Sequence, residues 1–364
     1  MLNGEIFMSD YVLNTSNIKY KALYTWLIGK INDGSFGYKE KLPSEASLCE
    51  QFQISRQTVR NAMDRLCREG YVERVKGSGS FVKKPVRQRE KTIGVIFLTI
   101  SGYINANVLN GIENVLTSKG YSILLELSHN RVSNEARFLQ KMLTSNVSGL
   151  IIEGTKSSFP TPNDALYRQL AEQKIPYVFV HNGYTNVPAP AIVWDDHRVS
   201  YELTQRLINA GHKNIAGLFK FDEMQGVNRY LGYIDALMDN QMEIQEDYIG
   251  WYSDSNQPEE KRRKTNYTDA FAMDILGHCS ALICYNDLIA CHIIRHYIAN
   301  GISIPDQVSV ASFDNSDVTK LYNLQRIPSV THPKEEMGRQ AASLLMEYIE
   351  DPSLNATERK IITL

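Results

Sequence analysis

The sequence predicts an α/β protein in which an N-terminal winged helix-turn-helix precedes a two-lobed, doubly wound α/β domain. Three observations lead to this prediction: a helix, helix and hairpin pattern near the start, apolar strands alternating with helices thereafter, and a division of charge between these parts. We assign 1–16 to an N-terminal tail, 17–84 to the winged helix, 85–91 to a linker and 92–364 to the two-lobed domain.

The charge distribution separates a basic head from an acidic body. Residues 17–84 contain 13 Lys and Arg against 7 Asp and Glu, whereas the remaining residues contain 26 against 34. The formal net charge of −2 therefore conceals +6 in the head and −8 in the body. Because a small basic domain attracts polyanions, we expect nucleic acid as the partner of the head.

The stretch SRQTVRNAMDRLCREG, from Ser55 to Gly70, predicts a helix with one buried and one basic face. Ser55 can cap the helix and Gly70 can end it. Val59, Met63 and Leu66 have the spacing of a buried face, so a polar set points outward from the first turns, where side chains that enter a major groove usually lie. That set comprises Arg56, Gln57, Arg60 and Asn61, with Thr58 small enough to approach DNA closely.

Two further helices precede this one. PSEASLCEQF predicts a short helix that begins at Ser44 and ends near Phe52, and the tight link to Ser55 is typical of a helix-turn-helix. An earlier helix has an apolar face that includes Leu23 and Ile31. Lys19, before that face, is a candidate phosphate contact.

YVERVKGSGSFV predicts a β-hairpin, because apolar and polar residues alternate on both sides of a glycine-bearing reversal. The tip has a lysine and two glycines, and the glycines let the backbone approach a phosphate or a minor groove without a Cβ in the way. The candidate DNA-contacting residues of this wing are Lys76, Gly77, Ser78 and Gly79.

This pattern, LPSE followed by ISRQTVR and GSGSFV, resembles the DNA-binding domain of GntR-type regulators over residues 19–83. The resemblance implies a winged helix bound to operator DNA. It also implies which residues face the DNA, namely Glu45, Arg56, Thr58, Arg60, Gly77 and Gly79. Many members carry arginine where this chain has Ala46, so one expected contact is missing.

From Thr92 onward, apolar strands such as TIGVIFL and SGLIIEG alternate with helical segments, which predicts parallel sheets covered on both faces. About 270 residues exceed one comfortable unit of this kind, so we expect two lobes. Ligands of such sheets bind at the carboxyl ends of the strands, and two facing lobes form a cleft from those ends.

Polar and aromatic side chains follow the predicted strands, as a sugar requires: hydrogen bonds for its hydroxyls and a flat face for its ring. Asp287 could instead cap a helix, Glu153 and Lys156 could pair with each other, and His181 and His332 could serve a hinge. The candidate sugar-binding residues are Tyr103, Glu153, Lys156, His181, Lys220, Asp222, Gln225, Arg229, Tyr285, Asn286, Asp287, Asp314 and His332.

The segments GVNRYLG, CYND and SFDNSD resemble the effector domain of LacI/GalR-type regulators, which is related to periplasmic sugar-binding proteins. Joined to a GntR-type head, this body is similar to repressors of arabinose utilisation. The resemblance implies a repressor released from operator DNA by a sugar, with L-arabinose as the effector and a homodimer formed through the body. The residues alone argue only for a small polyol, and a different pentose or a non-sugar metabolite remains the alternative.

Several function classes are not expected. The sequence has no GxxxxGK[ST] loop, no GxGxxG opening a helix after the first strand and no GxSxG elbow in a strand-to-helix turn, so we expect no enzyme and no cofactor. The five cysteines lack metal-site spacing, and we expect reduced thiols and no metal. The start of the chain lacks the features of a secretory signal, which favours the cytoplasm and no membrane contact.

Overall fold

The computed structural model describes residues 16–32, 34–83, 91–100, 103–253, 267–318, 327–351, 353–354 and 361–363. The chain divides into two compact units, Met1–Glu90 and Lys91–Leu364. Of the predicted tail and linker, only Ser16 and Lys91 belong to the described residues. The predicted domain boundaries therefore stay predictions.

The described residues of the first unit form three helices and a two-stranded antiparallel sheet, as predicted. Its helices and strands are α1 Ser16–Asn32, α2 Glu45–Phe52, α3 Arg56–Arg68, β1 Val72–Val75 and β2 Gly79–Val82. Val72 pairs with Val82 and Val75 with Gly79, which places the reversal of the hairpin between Val75 and Gly79.

One apolar cluster holds these elements together. Leu23, Leu27 and Ile31 are spaced by one helical turn on α1 and are at most 1% exposed. They pack with buried residues of α2, α3 and both strands. Since this face of α3 is buried, the opposite face is available to solvent.

The described part of the second unit forms two parallel sheets covered by helices, which confirms the predicted two-lobed, doubly wound α/β fold. The sheet of the first lobe has the order β13-β7-β6-β5-β3-β4. Its strands are β3 Thr92–Phe97, β4 Ser122–Leu127, β5 Gly149–Ile152, β6 Tyr177–Val180, β7 Ala191–Val193 and β13 Ile361–Thr363. Its helices are α4 Tyr103–Ser118, α5 Val132–Thr144, α6 Asp164–Glu172 and, near the end of the chain, α11 Lys334–Glu350.

The sheet of the second lobe has the order β12-β11-β10-β8-β9. Its strands are β8 Ile215–Lys220, β9 Ile249–Tyr252, β10 Ala281–Cys284, β11 Ser309–Asp314 and β12 Ser329–Thr331. Its helices are α7 Asp196–Asn209, α8 Met224–Asp239, α9 Tyr267–Asp274 and α10 Asp287–Ala299, with a short 3-10 helix at Glu246–Tyr248.

Two connections among the described residues join the lobes. One runs from β7 to α7 through Trp194 and Asp195, and the other runs from β12 to α11 through His332 and Pro333. The rings of Trp194 and His332 meet edge to face, with centroids 4.6 Å apart. The connections are thus in contact where the chain passes between the lobes.

Among the helices of the described residues, none combines the length and the apolar composition that a membrane-spanning helix needs.

Candidate functional site

The exposed face of α3 begins with a capped first turn. Ser55 Oγ accepts a hydrogen bond from the backbone N–H of Thr58 at 3.2 Å, which confirms the predicted cap. The hydroxyl of Thr58 lies 2.8 Å from the same oxygen, and Thr58 is only 7% exposed. In this structure Thr58 therefore belongs to the cap and not to the exposed row.

That row consists of Arg56, Gln57, Arg60 and Asn61, all exposed. Gln57 Nε2 donates to Asn61 Oδ1 at 2.9 Å, so these two amides form a pair one helical turn apart. Arg60 Nε lies 3.9 Å from Glu45 Oε2 at the start of α2. The structure thus brings the predicted Glu45 next to the predicted Arg60.

Arg74, on the first strand of the wing, connects three elements of this unit and was not singled out from the sequence. Its guanidinium donates to Glu45 Oε1 at 2.9 Å and to Asp64 Oδ1 at 2.5 Å. The positive charge of Arg74 therefore offsets the negative charges of two carboxylates that border the basic face of α3.

The tip of the wing is exposed from Lys76 to Gly79. Gly77 and Gly79 have φ angles of +78° and +118°, which side-chain-bearing residues rarely adopt. A Cβ on Gly79 would come within 2.8 Å of Lys41 Cε. Lys19 is also exposed, on α1.

In the second unit, residues that follow strands of the first lobe contact residues that follow β8 of the second, and these contacts define the cleft between the lobes. Three of the candidate residues, Lys156, His181 and Asp314, have positive φ angles of 50°, 65° and 100°. Such angles are unfavourable for residues other than glycine and cluster at binding sites. These strand-end loops hold their side chains at a conformational cost.

Asp222 connects the two lobes. It follows β8 of the second lobe, and its Oδ2 accepts from Lys156 Nζ at 3.0 Å and from Asn130 Nδ2 at 3.2 Å, both in the first lobe. The side chain is fully buried, and burial raises the pKa of its carboxyl. Lys156 therefore pairs with Asp222 across the cleft.

Arg229 lies at the centre of the second-lobe side and is 1% exposed. Its Nε donates to Asp196 Oδ1 at 2.8 Å, and its Nη2 lies 3.8 Å from Asp314 Oδ1. The guanidinium also faces the rings of Tyr285 and Phe313, at 4.8 and 4.5 Å from their centroids. Although burial opposes its charge, the carboxylates raise the pKa of Arg229, so it stays a cation.

A second charge-balanced group lies beside it. Lys220 Nζ donates to Glu223 Oε1 at 2.5 Å, and Tyr285 donates its hydroxyl to Glu223 Oε2 at 2.7 Å. Burial alone would raise the pKa of Glu223, but the Lys220 ammonium and these hydrogen bonds lower it. Both members of the ion pair are less than 10% exposed.

Glu153 lies on the first-lobe side and accepts from the backbone N–H of Leu98 and from Asn105 Nδ2, both at 2.8 Å. Burial raises its pKa to about 7. Burial has the opposite effect on His181, whose pKa it lowers to about 4. The ring of His181 lies 3.3 Å from Asn105 Oδ1 and 3.5 Å from Gln225 Nε2, so it bridges the two lobes in its neutral form.

Asp287 lies beneath the cleft, and each oxygen of its carboxylate already accepts two hydrogen bonds. Its carboxylate accepts from the hydroxyls of Ser312, Ser316 and Ser329 and from the Ser316 backbone N–H, at 2.5 to 2.8 Å. The cap of α10 is Asn286, whose Oδ1 accepts from the Ile289 N–H at 3.0 Å. In this geometry both residues shape the strand ends, and neither directs a free oxygen at a ligand.

Among the described residues of the cleft and its border, the buried polar atoms without a hydrogen-bond partner include Asn182 Nδ2, Asp196 Oδ2, Asp222 Oδ1 and both ring nitrogens of His332. Burial lowers the pKa of His332 well below its usual value. The side chain of Tyr103 lies outside the described residues. Buried polar atoms without a protein partner are rare, and water or a polar ligand can satisfy them.

Sequence reasoning missed Asn130, Asp196 and Glu223. Asn130 and Asp196 follow β4 and β7, so each obeys the rule that identified the other candidates. The three-residue β7 gave too weak a pattern to be recognised. Glu223 stands next to the identified Asp222 and could have been included with it.

Comparison with known proteins adds two family matches. Residues 19–82 match the family described as bacterial regulatory proteins, gntR family. Residues 204–364 match the family described as periplasmic binding protein-like domain.

The chain is also similar to whole proteins. It is 35% identical to the arabinose metabolism transcriptional repressor of Geobacillus stearothermophilus, covering 93% of each chain. It is 32% identical to the protein of the same name in Halalkalibacterium halodurans, covering 91% of this chain and 89% of that protein. Among solved structures, the transcription regulator CcpA of Lactococcus lactis matches with a TM-score of 0.62 and 22% identity, over 75% of this chain and 96% of the other.

Proposed function

The chain belongs to the family of transcriptional repressors that join a GntR-type DNA-binding domain to a periplasmic-binding-protein-like effector domain, and from this premise we propose that L-arabinose is its effector. The protein is a DNA-binding, sugar-responsive repressor and not an enzyme. The curated relatives named for arabinose metabolism support the choice of sugar.

The buried polar atoms in the cleft are the observation that carries this proposal. Asn182 offers N–H groups, Asp222 offers an acceptor, and His332 offers either through its two ring nitrogens. Leaving such a group unsatisfied costs about 1–3 kcal/mol. A polyhydroxylated ligand between the lobes would supply the missing hydrogen bonds, because each of its hydroxyls can both donate and accept.

The charges of the cleft favour a neutral ligand. Each of its three central cations contacts a carboxylate: Lys156 with Asp222, Lys220 with Glu223 and Arg229 with Asp196. An anionic ligand such as a sugar phosphate would have to compete with these carboxylates. A free sugar fits without disturbing them.

Operator binding is assigned to the row Arg56, Gln57 and Arg60 and to the wing from Lys76 to Gly79. Arginine can read guanine bidentately and glutamine can read adenine, while the basic wing tip suits a phosphate or a minor groove. Lys19 and Glu45 flank this surface, with Glu45 orienting Arg60.

Coupling between sugar and DNA requires a change in the body that reaches the heads. We infer a homodimer formed through the body, since paired half-sites match a two-fold symmetric protein. Sugar holds the lobes in one arrangement through Asp222, Lys156 and Asn130, and in that arrangement the paired heads no longer fit the operator. A coupling of about 1–3 kcal/mol is typical for such linkage.

Calorimetric titration of the purified protein with L-arabinose, D-arabinose, D-xylose, D-ribose and D-glucose tests the effector. We expect binding of L-arabinose in preference to the others, and release of an operator duplex on the same concentration scale. Tighter binding of another sugar would replace L-arabinose as the effector. Operator binding that no sugar in the panel alters would favour a non-sugar metabolite.

A further inference from the structure

A cavity of about 240 Å³ lies between the loop after β6, strand β7 and the start of α8. The first lobe contributes the loop after β6 and strand β7, including Asn182, Tyr184, Thr185 and Val193. The second lobe contributes Met224 and Asn228 from the first turns of α8. An occupant would therefore contact both lobes.

The cavity and the cleft are built on the same backbone segments. His181 belongs to the cleft, and the next residue, Asn182, borders both the cleft and the cavity. On α8, Gln225 and Arg229 belong to the cleft, whereas Met224 and Asn228, each one residue earlier, line the cavity. Since consecutive helical residues differ by about 100° in direction, the two sites occupy adjacent faces of one helix.

The lining of the cavity is neutral and partly apolar. No charged side chain belongs to it among the described residues, and its hydrogen-bonding side chains include the amides of Asn182 and Asn228 and the hydroxyl of Thr185. Tyr184 already commits its hydroxyl to Glu135 and to the Thr155 carbonyl, so it offers the cavity its ring. Amides with an aromatic ring and valine or methionine side chains suit an uncharged sugar ring, which has hydroxyls at its edge and C–H groups on its face.

We propose that this cavity is a subsite for a second sugar ring, so that the protein accepts a short neutral glycoside as well as a free monosaccharide. The proposal rests on the proposed function, because the first ring must occupy the cleft. A volume of about 240 Å³ is smaller than the roughly 300–1,000 Å³ of sites for drug-sized ligands, as expected for one additional ring. The ring in the cavity joins the two lobes through Asn182 and Asn228 and so supports the arrangement that the first ring selects.

Calorimetric titration of the full chain with L-arabinose and with 1,5-linked L-arabinobiose tests the subsite. We expect the disaccharide to bind at least as tightly as the monosaccharide. Asn228→Phe, which fills the cavity and removes an amide, should weaken disaccharide binding by about tenfold or more, equivalent to about 1.4 kcal/mol, and leave L-arabinose binding unchanged. Leu231→Phe is the matched control, because Leu231 lies on the same helix but is exposed and outside the cavity lining.

Retained L-arabinose binding shows that Asn228→Phe is folded, and Asn228→Ala provides a second variant that removes the amide without adding bulk. Wild-type protein that binds L-arabinose but not the disaccharide would overturn the subsite and leave the proposed effector intact. Equal loss of both ligands in Asn228→Phe and Asn228→Ala would also overturn it, since the cavity would then not be separate from the cleft. Wild-type protein that binds only the disaccharide would contradict the proposed monosaccharide effector and not the subsite.

Discussion

Arg229 donates from Nε to Oδ1 of Asp196 across 2.8 Å, and each of these side chains is 1% exposed. Asp196 opens α7, directly after the connection from the first lobe, whereas Arg229 lies on α8. Burial raises the pKa of Asp196 to about 6 although Arg229 acts to lower it. This pair therefore fixes the start of the second lobe against the helix that borders the cleft.

Arg229→Ala should lower the free energy of unfolding by about 3–5 kcal/mol, because it leaves the Asp196 carboxyl buried without its partner. Urea denaturation of the full chain measures the change. Arg198→Ala is the control: Arg198 pairs with Glu202 on the surface of α7, and loss of such a pair costs at most about 1 kcal/mol. Similar stability of the two variants would show that the buried pair is not a stabilising contact.

Asp222→Ala should weaken sugar binding by about tenfold or more, since it removes a buried acceptor and the contacts with Lys156 and Asn130. Operator affinity without sugar should be unchanged. Calorimetry and operator binding measure the two effects. Asp235→Ala provides the control, because Asp235 is an exposed carboxylate that lies 2.8 Å from the His197 ring on the surface of the second lobe. Equal sugar affinity in both variants would exclude Asp222 from the site.

Arg60→Ala should weaken binding to an operator duplex, selected from a random library, by about 1–3 kcal/mol and leave sugar affinity unchanged. Arg68→Ala tests the same charge at the other end of α3, where we expect a smaller effect. Fluorescence anisotropy at fixed salt gives both affinities. If Arg60→Ala binds as tightly as the wild type, α3 does not enter the groove through this residue.

The raised pKa of Glu153 predicts that the stability of the protein depends on pH. Its pKa is about 7 in the folded state against an ordinary 4.5, so the folded state holds the proton more tightly. The associated stability is fully present below about pH 4.5 and is lost as pH rises through about 7. Between pH 5 and pH 8, the free energy of unfolding of the wild type should fall by up to about 3 kcal/mol relative to that of Glu153→Gln.

Urea denaturation of both proteins across that range measures this difference, and Gln can still accept the hydrogen bonds from Leu98 and Asn105. Parallel stability curves for wild type and Glu153→Gln would mean that Glu153 is ionised throughout. His181, whose pKa is about 4, stays neutral in the folded state over this range but binds a proton in the unfolded state below about pH 6.5. It therefore adds a slope of the opposite sign, which is common to both proteins and cancels in their difference.

Much of the fold follows from local patterns in the sequence. The cap at Ser55, the end of α3 before Gly70 and the hairpin around Gly77 each depend on neighbouring residues. The short strands β7, β9 and β13 do not, because three or four residues form a strand only when a sheet is there to pair with them. Their absence from the sequence prediction reflects tertiary pairing and not weak propensity alone.

The sequence predicted the location of the candidate site better than it predicted the role of each residue there. Strand ends identified Lys156, Asp222 and Arg229, which the structure brings to the cleft. Sequence could not reveal that Asp287 accepts four hydrogen bonds from three serines, because those serines come from distant segments. Nor could it reveal that Lys156 pairs with Asp222 in the opposite lobe and not with Glu153.

The contact between Trp194 and His332 has a mechanical consequence. Two connections that did not touch would let the lobes twist and slide as well as open. Because these two connections are in contact, we expect them to act as one hinge. We therefore expect that bending one connection displaces the other and that the lobes rotate about one common axis. In the proposed mechanism, occupancy of the cleft sets the angle between the two lobes.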